Sequence, residues 1–173
     1  FYPTKILGAY GDGGLILTKN KKIFEKAKRI RFYGIENQNK TSKFYNKYYA
    51  NENGVNSRLD EIQCGILNYK LKHVDSYIKI RRHKAKLYSS LLTNTGLILP
   101  QENKNNYHVY HLYTVYHNKR DEIIKKLNKE RIGVRIIYPF PIHTMKAFKY
   151  LKSKKLKISE NLSKGIFSLP LYP

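Results

Sequence analysis

The stretch from residue 57 to residue 92 sets the terms for everything around it, because apolar positions recur there every three or four residues with no proline to stop a helix. Leu59, Ile62, Ile66, Leu67 and Leu71, followed by Val74, Ile78, Ala85, Tyr88 and Leu92, form a buried stripe on one side of a helix. Such a run exceeds an ordinary globular helix, so it is either one very long helix or two joined near His73. Ser57 with Asp60 three residues on is a capping-box pattern with Asp in place of Glu. A helical run of this length is a connector, with one body of structure before it and another after it.

The segment before the connector opens on Phe1-Tyr2-Pro3-Thr4-Lys5 and continues through glycines at 8, 11, 13 and 14. Leu15-Ile16-Leu17-Thr18 then reads as a buried strand bounded by a glycine turn. Asn20 to Arg31 reads as a helix capped by Asn20, with Ile23, Phe24, Ala27 and Ile30 on one face. From Phe32 to Val55 no period is visible, and the Tyr, Asn and Lys content fits a long exposed loop.

After the connector, strands are expected at Leu97-Ile98-Leu99 and across Tyr110 to His117, where aromatic and β-branched residues alternate. A helix over Arg120 to Glu130 turns Ile123, Ile124 and Leu127 inward, and Val134 to Ile137 follows as a strand, together a β-α-β unit. Helices at about Thr144 to Lys152 and Ser159 to Lys164, with Gly165 as the stop, complete a small α+β body. The chain begins without Met and closes on Leu169-Pro170-Leu171-Tyr172-Pro173 without a terminal helix, so both ends read as cut.

Composition narrows the function classes. A net charge of +22 suggests a polyanionic partner, but lysine supplies 26 of the 34 cations, scattered among 15 Asn and 18 Ile. Phosphate and base recognition favour the planar fork of arginine, so a solvated basic surface is the simpler reading and a nucleic-acid-binding module the alternative from another class. No apolar run is long enough to span a membrane and no secretory leader pattern is present. Cys64 cannot form an internal disulfide, which favours a reducing compartment, read here as the cytoplasm. No histidine or cysteine spacing resembles a metal site, and Cys64 reads as a packed small hydrophobe. His108 and His111 read as strand surface, and Asp60-Glu61 as helix-start electrostatics. The glycines form neither a Walker loop nor a dinucleotide fingerprint; alone they mark a tight turn.

Lys5 stands apart, because a proline-fixed aromatic segment running into a glycine cluster is an unusual place for a flexible cation, and a lysine held there invites a carbonyl. Phe1-Tyr2-Pro3-Thr4-Lys5-Ile6-Leu7-Gly8-Ala9-Tyr10-Gly11-Asp12-Gly13-Gly14 resembles the Schiff-base lysine segment of the pyridoxal-phosphate-dependent nucleotide-sugar aminotransferases of the DegT/DnrJ/EryC1/StrS family. Gly54-Val55-Asn56-Ser57-Arg58-Leu59-Asp60-Glu61-Ile62-Gln63 resembles the opening of that family's interdomain helix. Tyr138-Pro139-Phe140-Pro141-Ile142-His143 and Ser168-Leu169-Pro170-Leu171-Tyr172-Pro173 resemble its C-terminal signatures. Ile6, in place of Asn after the lysine, and Ile137, in place of His before Tyr-Pro, depart from the family pattern.

The resemblance implies an α/β fold, the C-terminal part of a fold type I transferase. Residues 1–56 would end the large cofactor-binding domain, 57–92 would form the connecting helices, and 93–173 a small C-terminal α+β domain. It implies that Lys5 carries pyridoxal 5'-phosphate covalently and, once freed, moves the proton, with an amine pKa depressed by burial and by the cofactor. Asn56 would reach the phosphate of a partner subunit's cofactor across a homodimer interface; read alone it is a helix cap. Tyr138, His143 and His111 would lie near the sugar nucleotide, or else Tyr138 and His143 belong to a proline-rich turn against the core. The aromatic ring over the cofactor, the Asp at the pyridine nitrogen and most phosphate ligands would come from sequence upstream of Phe1. The implied reaction moves an amino group from glutamate to a keto-sugar nucleotide for surface glycan biosynthesis. Carbon 3 of a dTDP-3-keto-6-deoxyhexose is the expected acceptor, and carbon 4 of a UDP- or GDP-linked 4-keto sugar the alternative. A cofactor-binding regulator without turnover is the remaining alternative.

Overall fold

The computed structural model describes residues 1–35, 48–151 and 154–173. The chain divides into two compact units, Phe1–Lys72 and His73–Pro173. The helical run is two helices, α2 at Glu61–Leu71 and α3 at Val74–Leu92. They are separated at Lys72 and His73, where the Lys72 N–H donates to Tyr69 O at 3.3 Å, a tightened last turn. No helix of the described residues is long and apolar enough to cross a membrane.

In the first unit, α1 (Lys21–Ile30) starts as expected, with Asn20 Oδ1 accepting from the Lys22 and Ile23 N–H groups at 2.9 and 3.3 Å. The capping box does not form. Helix α2 begins after Asp60, which makes no side-chain cap hydrogen bond, and the Ser57 N–H is instead taken by Arg31 O at 2.9 Å. The stripe is also narrower than the sequence suggests: Leu67 is buried, whereas Ile62 is 77% and Leu71 55% exposed. Leu15 to Leu17 form no strand and lie exposed, since a strand needs a ladder partner and none pairs with them among the described residues. Of the loop expected over Phe32–Val55, residues 36–47 lie outside the described residues; its two ends form an antiparallel neck through Phe32↔Asn56 and Ile35↔Ala50. Gly34, at φ +72°, lets the neck close, because a Cβ there would strike the Glu52 backbone.

In the second unit, β1 (Tyr113–Tyr116) pairs antiparallel with β2 (Ile166–Leu169) in the register Tyr113↔Leu169 to Tyr116↔Ile166. Ile98 bridges Tyr116 on one side, and Arg135 bridges Ser168 on the other. The strands expected at 97–99 and 134–137 are thus reduced to single bridges. Both β1 and Arg135 run antiparallel to β2, so the β-α-β unit around α4 (Arg120–Lys129) is split, with β2 inserted between its two arms. The first strand is shorter than its alternation suggests. His108 Nδ1 accepts the Tyr110 N–H at 2.8 Å and Tyr110 turns to φ +47°, which ends extended backbone before Tyr113, so neither His108 nor His111 is on a strand. Within β1 the alternation holds, since Tyr113 and Val115 are buried with Phe167 of β2 and Ala85 of α3. Ile123, Ile124 and Leu127 of α4 pack against that cluster.

The helix expected at 144–152 is two 3₁₀ turns, Ile142–Thr144 and Lys146–Leu151, interrupted by Met145 at ψ 140°; Lys152 lies outside the described residues. Helix α5 spans Lys157–Gly165. Gly165 ends it without a positive φ, and its missing side chain serves a close approach instead: a Cβ there would run into the Tyr116 ring.

Candidate functional site

Lys5 sits on a wound turn. Its N–H donates to Tyr2 O at 2.9 Å, and the Ala9 N–H closes the segment onto Phe1 O at 2.8 Å. Gly8 is what permits this winding, because a Cβ there would lie 2.5 Å from Pro3 O and 2.9 Å from Tyr2 O. Gly8 and Ala9 are buried while Lys5 is exposed. The turn is anchored to α2 by two side chains the sequence reading missed. Gln63 Oε1 accepts the Tyr10 N–H at 2.8 Å, and Lys70 Nζ donates to Gly8 O at 2.7 Å while standing 4.6 Å from the Tyr10 ring centroid. Gln63, Leu67 and Lys70 follow one another about one helical turn apart on one face, with buried Leu67 between the polar pair. Polar residues flanking an apolar one at that spacing were the available signal.

Asn56 is not a helix cap, since α2 begins five residues later. It is exposed at the base of the neck, and its Oδ1 accepts from Arg58 Nε at 3.1 Å. A guanidinium only donates, so the oxygen is the atom turned to Arg58 and the amide NH₂ remains the donor end, suited to an anion. Arg58 is held in turn over the Phe32 ring, 5.5 Å from its centroid. Cys64 is half-buried, with Sγ 4.0 Å from Leu59 O.

The second unit carries the other three expected residues. His111 is half-buried, and its carbonyl accepts from Arg81 Nη1 at 3.2 Å. Arg81 was not singled out in the sequence; it is 7% exposed, and the same nitrogen also serves Tyr110 O and Leu171 O at 3.3 and 2.9 Å. Burial lowers its pKa. Arg82 fixes the same stretch by a fork onto Glu102, at 2.6 and 3.0 Å, while donating to His108 O at 2.7 Å. Glu102 also accepts the His108 N–H. Arg82, and then that N–H, pull the Glu102 carboxyl down to about 2. A cavity of about 380 Å³ opens here, lined by Glu102, Asn106, Tyr107, His108 and His111 among others.

Tyr138 is 72% exposed, at the mouth of a mostly apolar cavity of about 430 Å³ formed with Phe140, Ile142, Met145, Leu162 and Ile166. The peptide bond preceding it is cis. His143 turns to α5, its Nε2 3.1 Å from Glu160 Oε1. Tyr138 and His143 therefore share one short segment, though they make different contacts.

The model of the DegT/DnrJ/EryC1/StrS aminotransferase family matches residues 1–173. The chain belongs to this family. It is 43% identical over 181 residues to the dTDP-3-amino-3,4,6-trideoxy-alpha-D-glucose transaminase of Micromonospora megalomicea subsp. nigra, covering 100% of this chain and 46% of that protein. It is 34% identical to the UDP-N-acetyl-3-dehydro-alpha-D-glucosamine 3-aminotransferase of Acidithiobacillus ferrooxidans, covering 100% and 44%. Among solved structures, DesV of S. venezuelae in complex with a ketimine intermediate superposes with a TM-score of 0.88 at 33% identity, over 100% of this chain and 45% of that one. The chain thus spans about half the length of the curated relatives it matches, and its fold is the corresponding part of a fold type I, α/β sugar aminotransferase.

The family's aminotransferases depend on pyridoxal phosphate, and the residues present fit that group. A primary amine is displayed on a turn that the missing side chain of Gly8 allows to close, which suits an aldehyde, and a carboxamide presents its NH₂ end beside a guanidinium, which suits a phosphate.

Proposed function

We propose that this chain is part of a pyridoxal-phosphate-dependent aminotransferase that moves the amino group of glutamate to a keto-sugar nucleotide, with carbon 3 of a dTDP-3-keto-6-deoxyhexose as the acceptor. The observation that carries the reading is the Lys5 turn: an exposed amine on backbone closed by Gly8 and tied to α2 through Gln63 and Lys70. When bound, the cofactor supplies an aldehyde that captures amines and a ring that stores the electrons released at the neighbouring carbon.

Lys5 Nζ has two tasks. It holds the cofactor between turnovers. Displaced by the incoming donor, it takes a proton from the glutamate Cα and later returns one to the sugar carbon that receives nitrogen. Only the neutral amine can accept that proton. Asn56 would fix the phosphate of a partner subunit's cofactor in a homodimer, with Arg58 setting which end of the amide points outward. Tyr138, His143 and His111 would receive the sugar nucleotide. Carbon 3 is supported by the relatives' printed activities, which name a 3-amino and a 3-dehydro sugar. Nucleotide sugars for surface glycans are made in the cytoplasm in this reading.

Incubating the intact enzyme with glutamate and each keto-sugar nucleotide, then locating the new nitrogen by NMR, tests it. Nitrogen at carbon 3 of the dTDP sugar is expected. Nitrogen at carbon 4 of a UDP or GDP sugar overturns the acceptor assignment, and no transfer to any of them overturns the activity.

A further inference from the structure

Glu160 stands in the first turn of α5, and one oxygen of its carboxylate is met from two sides: by the Leu156 N–H at 2.9 Å and by His143 Nε2 at 3.1 Å. Both side chains are largely enclosed, with 14% of His143 and 23% of Glu160 exposed. An ionised carboxylate has no hydrogen to give, so the hydrogen in the contact belongs to Nε2. His143 and then the Leu156 N–H favour the ionised form, and Lys155 adds to the same field. A ring that carries its one hydrogen on Nε2 has a lone pair on Nδ1, which accepts from a hydroxyl or N–H. Because Leu156 holds the carboxylate whether or not His143 is there, Glu160 is a fixed support. The turn bearing His143 is fixed as well, since Thr144 returns both its N–H and its hydroxyl to Pro141 O at 3.0 and 2.7 Å.

We propose that Glu160 is a positioning residue: by holding His143 in the Nε2–H tautomer, it makes Nδ1 a fixed acceptor for a hydroxyl or N–H hydrogen of the keto-sugar nucleotide. This rests on the function proposed above. Glu160 itself touches no substrate and takes no part in proton transfer at Lys5. Its effect is on sugar-nucleotide affinity.

Three measurements on the intact enzyme test the assignment. In ¹⁵N-histidine solid-state spectra, the His143 ring, identified by its loss in His143→Gln, shows a protonated Nε2 and a bare Nδ1; the opposite tautomer, or a ring protonated at both nitrogens, overturns the proposal. Glu160→Ala raises the KM for the sugar nucleotide about tenfold with kcat retained, the size of one lost oriented hydrogen bond. Glu160→Gln, whose amide oxygen accepts the same two hydrogens, stays within about threefold of the native KM. An unchanged KM in Glu160→Ala, or a loss confined to melting temperature, overturns the proposal. If the native enzyme does not pass the amino group of glutamate to its cofactor, the underlying function fails and not the tautomer assignment.

Discussion

Gly8→Ala is the substitution that most sharply separates a built Lys5 turn from an incidental loop. An added Cβ would lie 2.5 Å from Pro3 O, 2.8 Å from Pro3 C and 2.9 Å from Tyr2 O. All three are backbone atoms, so no side chain can swing aside. To reach ordinary van der Waals separation the Tyr2–Pro3 backbone must retreat by about 1 Å. That movement strains the 2.9 Å bond from the Lys5 N–H to Tyr2 O and the 2.8 Å bond from the Ala9 N–H to Phe1 O. Losing or weakening two such bonds costs about 2 kcal/mol, and overpacking adds about 1 kcal/mol. The lost chain freedom of glycine offsets roughly 0.5 to 1 kcal/mol. The net expectation is a destabilisation of about 2 kcal/mol, with Lys5 displaced from its place. Gly14→Ala is the control, since nothing lies within 4 Å of a Cβ there. Urea unfolding of both variants, with cofactor loading followed by absorbance, gives the readout. Gly8→Ala should lose stability and loading, and Gly14→Ala neither. A Gly8→Ala protein as stable and as fully loaded as the native one would refute the reasoning.

Lys5→Ala and Lys5→Arg should abolish turnover while circular dichroism remains native, because the exposed Lys5 side chain adds nothing to the core; normal activity in either would exclude Lys5 as the catalytic amine. Arg81→Met removes the cation that serves the Tyr110, His111 and Leu171 carbonyls, and should cost about 3 kcal/mol in denaturant unfolding. The Glu102 carboxyl is held at about 2 in the folded chain against an ordinary value of 4.5. A depressed folded pKa gives stability that is fully present above the unfolded value and is lost as pH falls through the folded one. Stability should therefore decline between about pH 4.5 and pH 2, and Glu102→Gln should flatten that part of the curve in acid titrations of unfolding.

Helix positions were legible in the sequence where the apolar period was clear, as with Ile123, Ile124 and Leu127 on α4, and at α1 the Asn20 cap agreed with it. The two-helix form of the 57–92 run was one of the two readings left open, and a tightened turn at Lys72 decided it. Strands were less legible because pairing is not local. Leu15 to Leu17 have strand composition but no partner among the described residues, and the 97–99 and 134–137 strands shrink to single bridges. Two residues act differently from their local patterns. Ser57 resembles a cap, yet its N–H is taken by Arg31 O; Gly165 does end α5, but through room made for Tyr116 and not through a positive φ. In the candidate site, Lys5 and Asn56 were named from motifs. Of their supports, Gln63 and Lys70 left only their spacing about Leu67 as a trace, their partners lying 53 and 62 residues away; Arg58 acts on Asn56 two residues off, and Glu160 meets His143 from 17 residues away.

The central claim concerns the Lys5 amine, and reductive trapping tests it most directly. Treating the intact holoenzyme with borohydride and mapping the peptides should place a pyridoxyl label on the Phe1–Gly14 segment, at Lys5. A label on another lysine, or no label on a protein that retains its cofactor, would contradict the account.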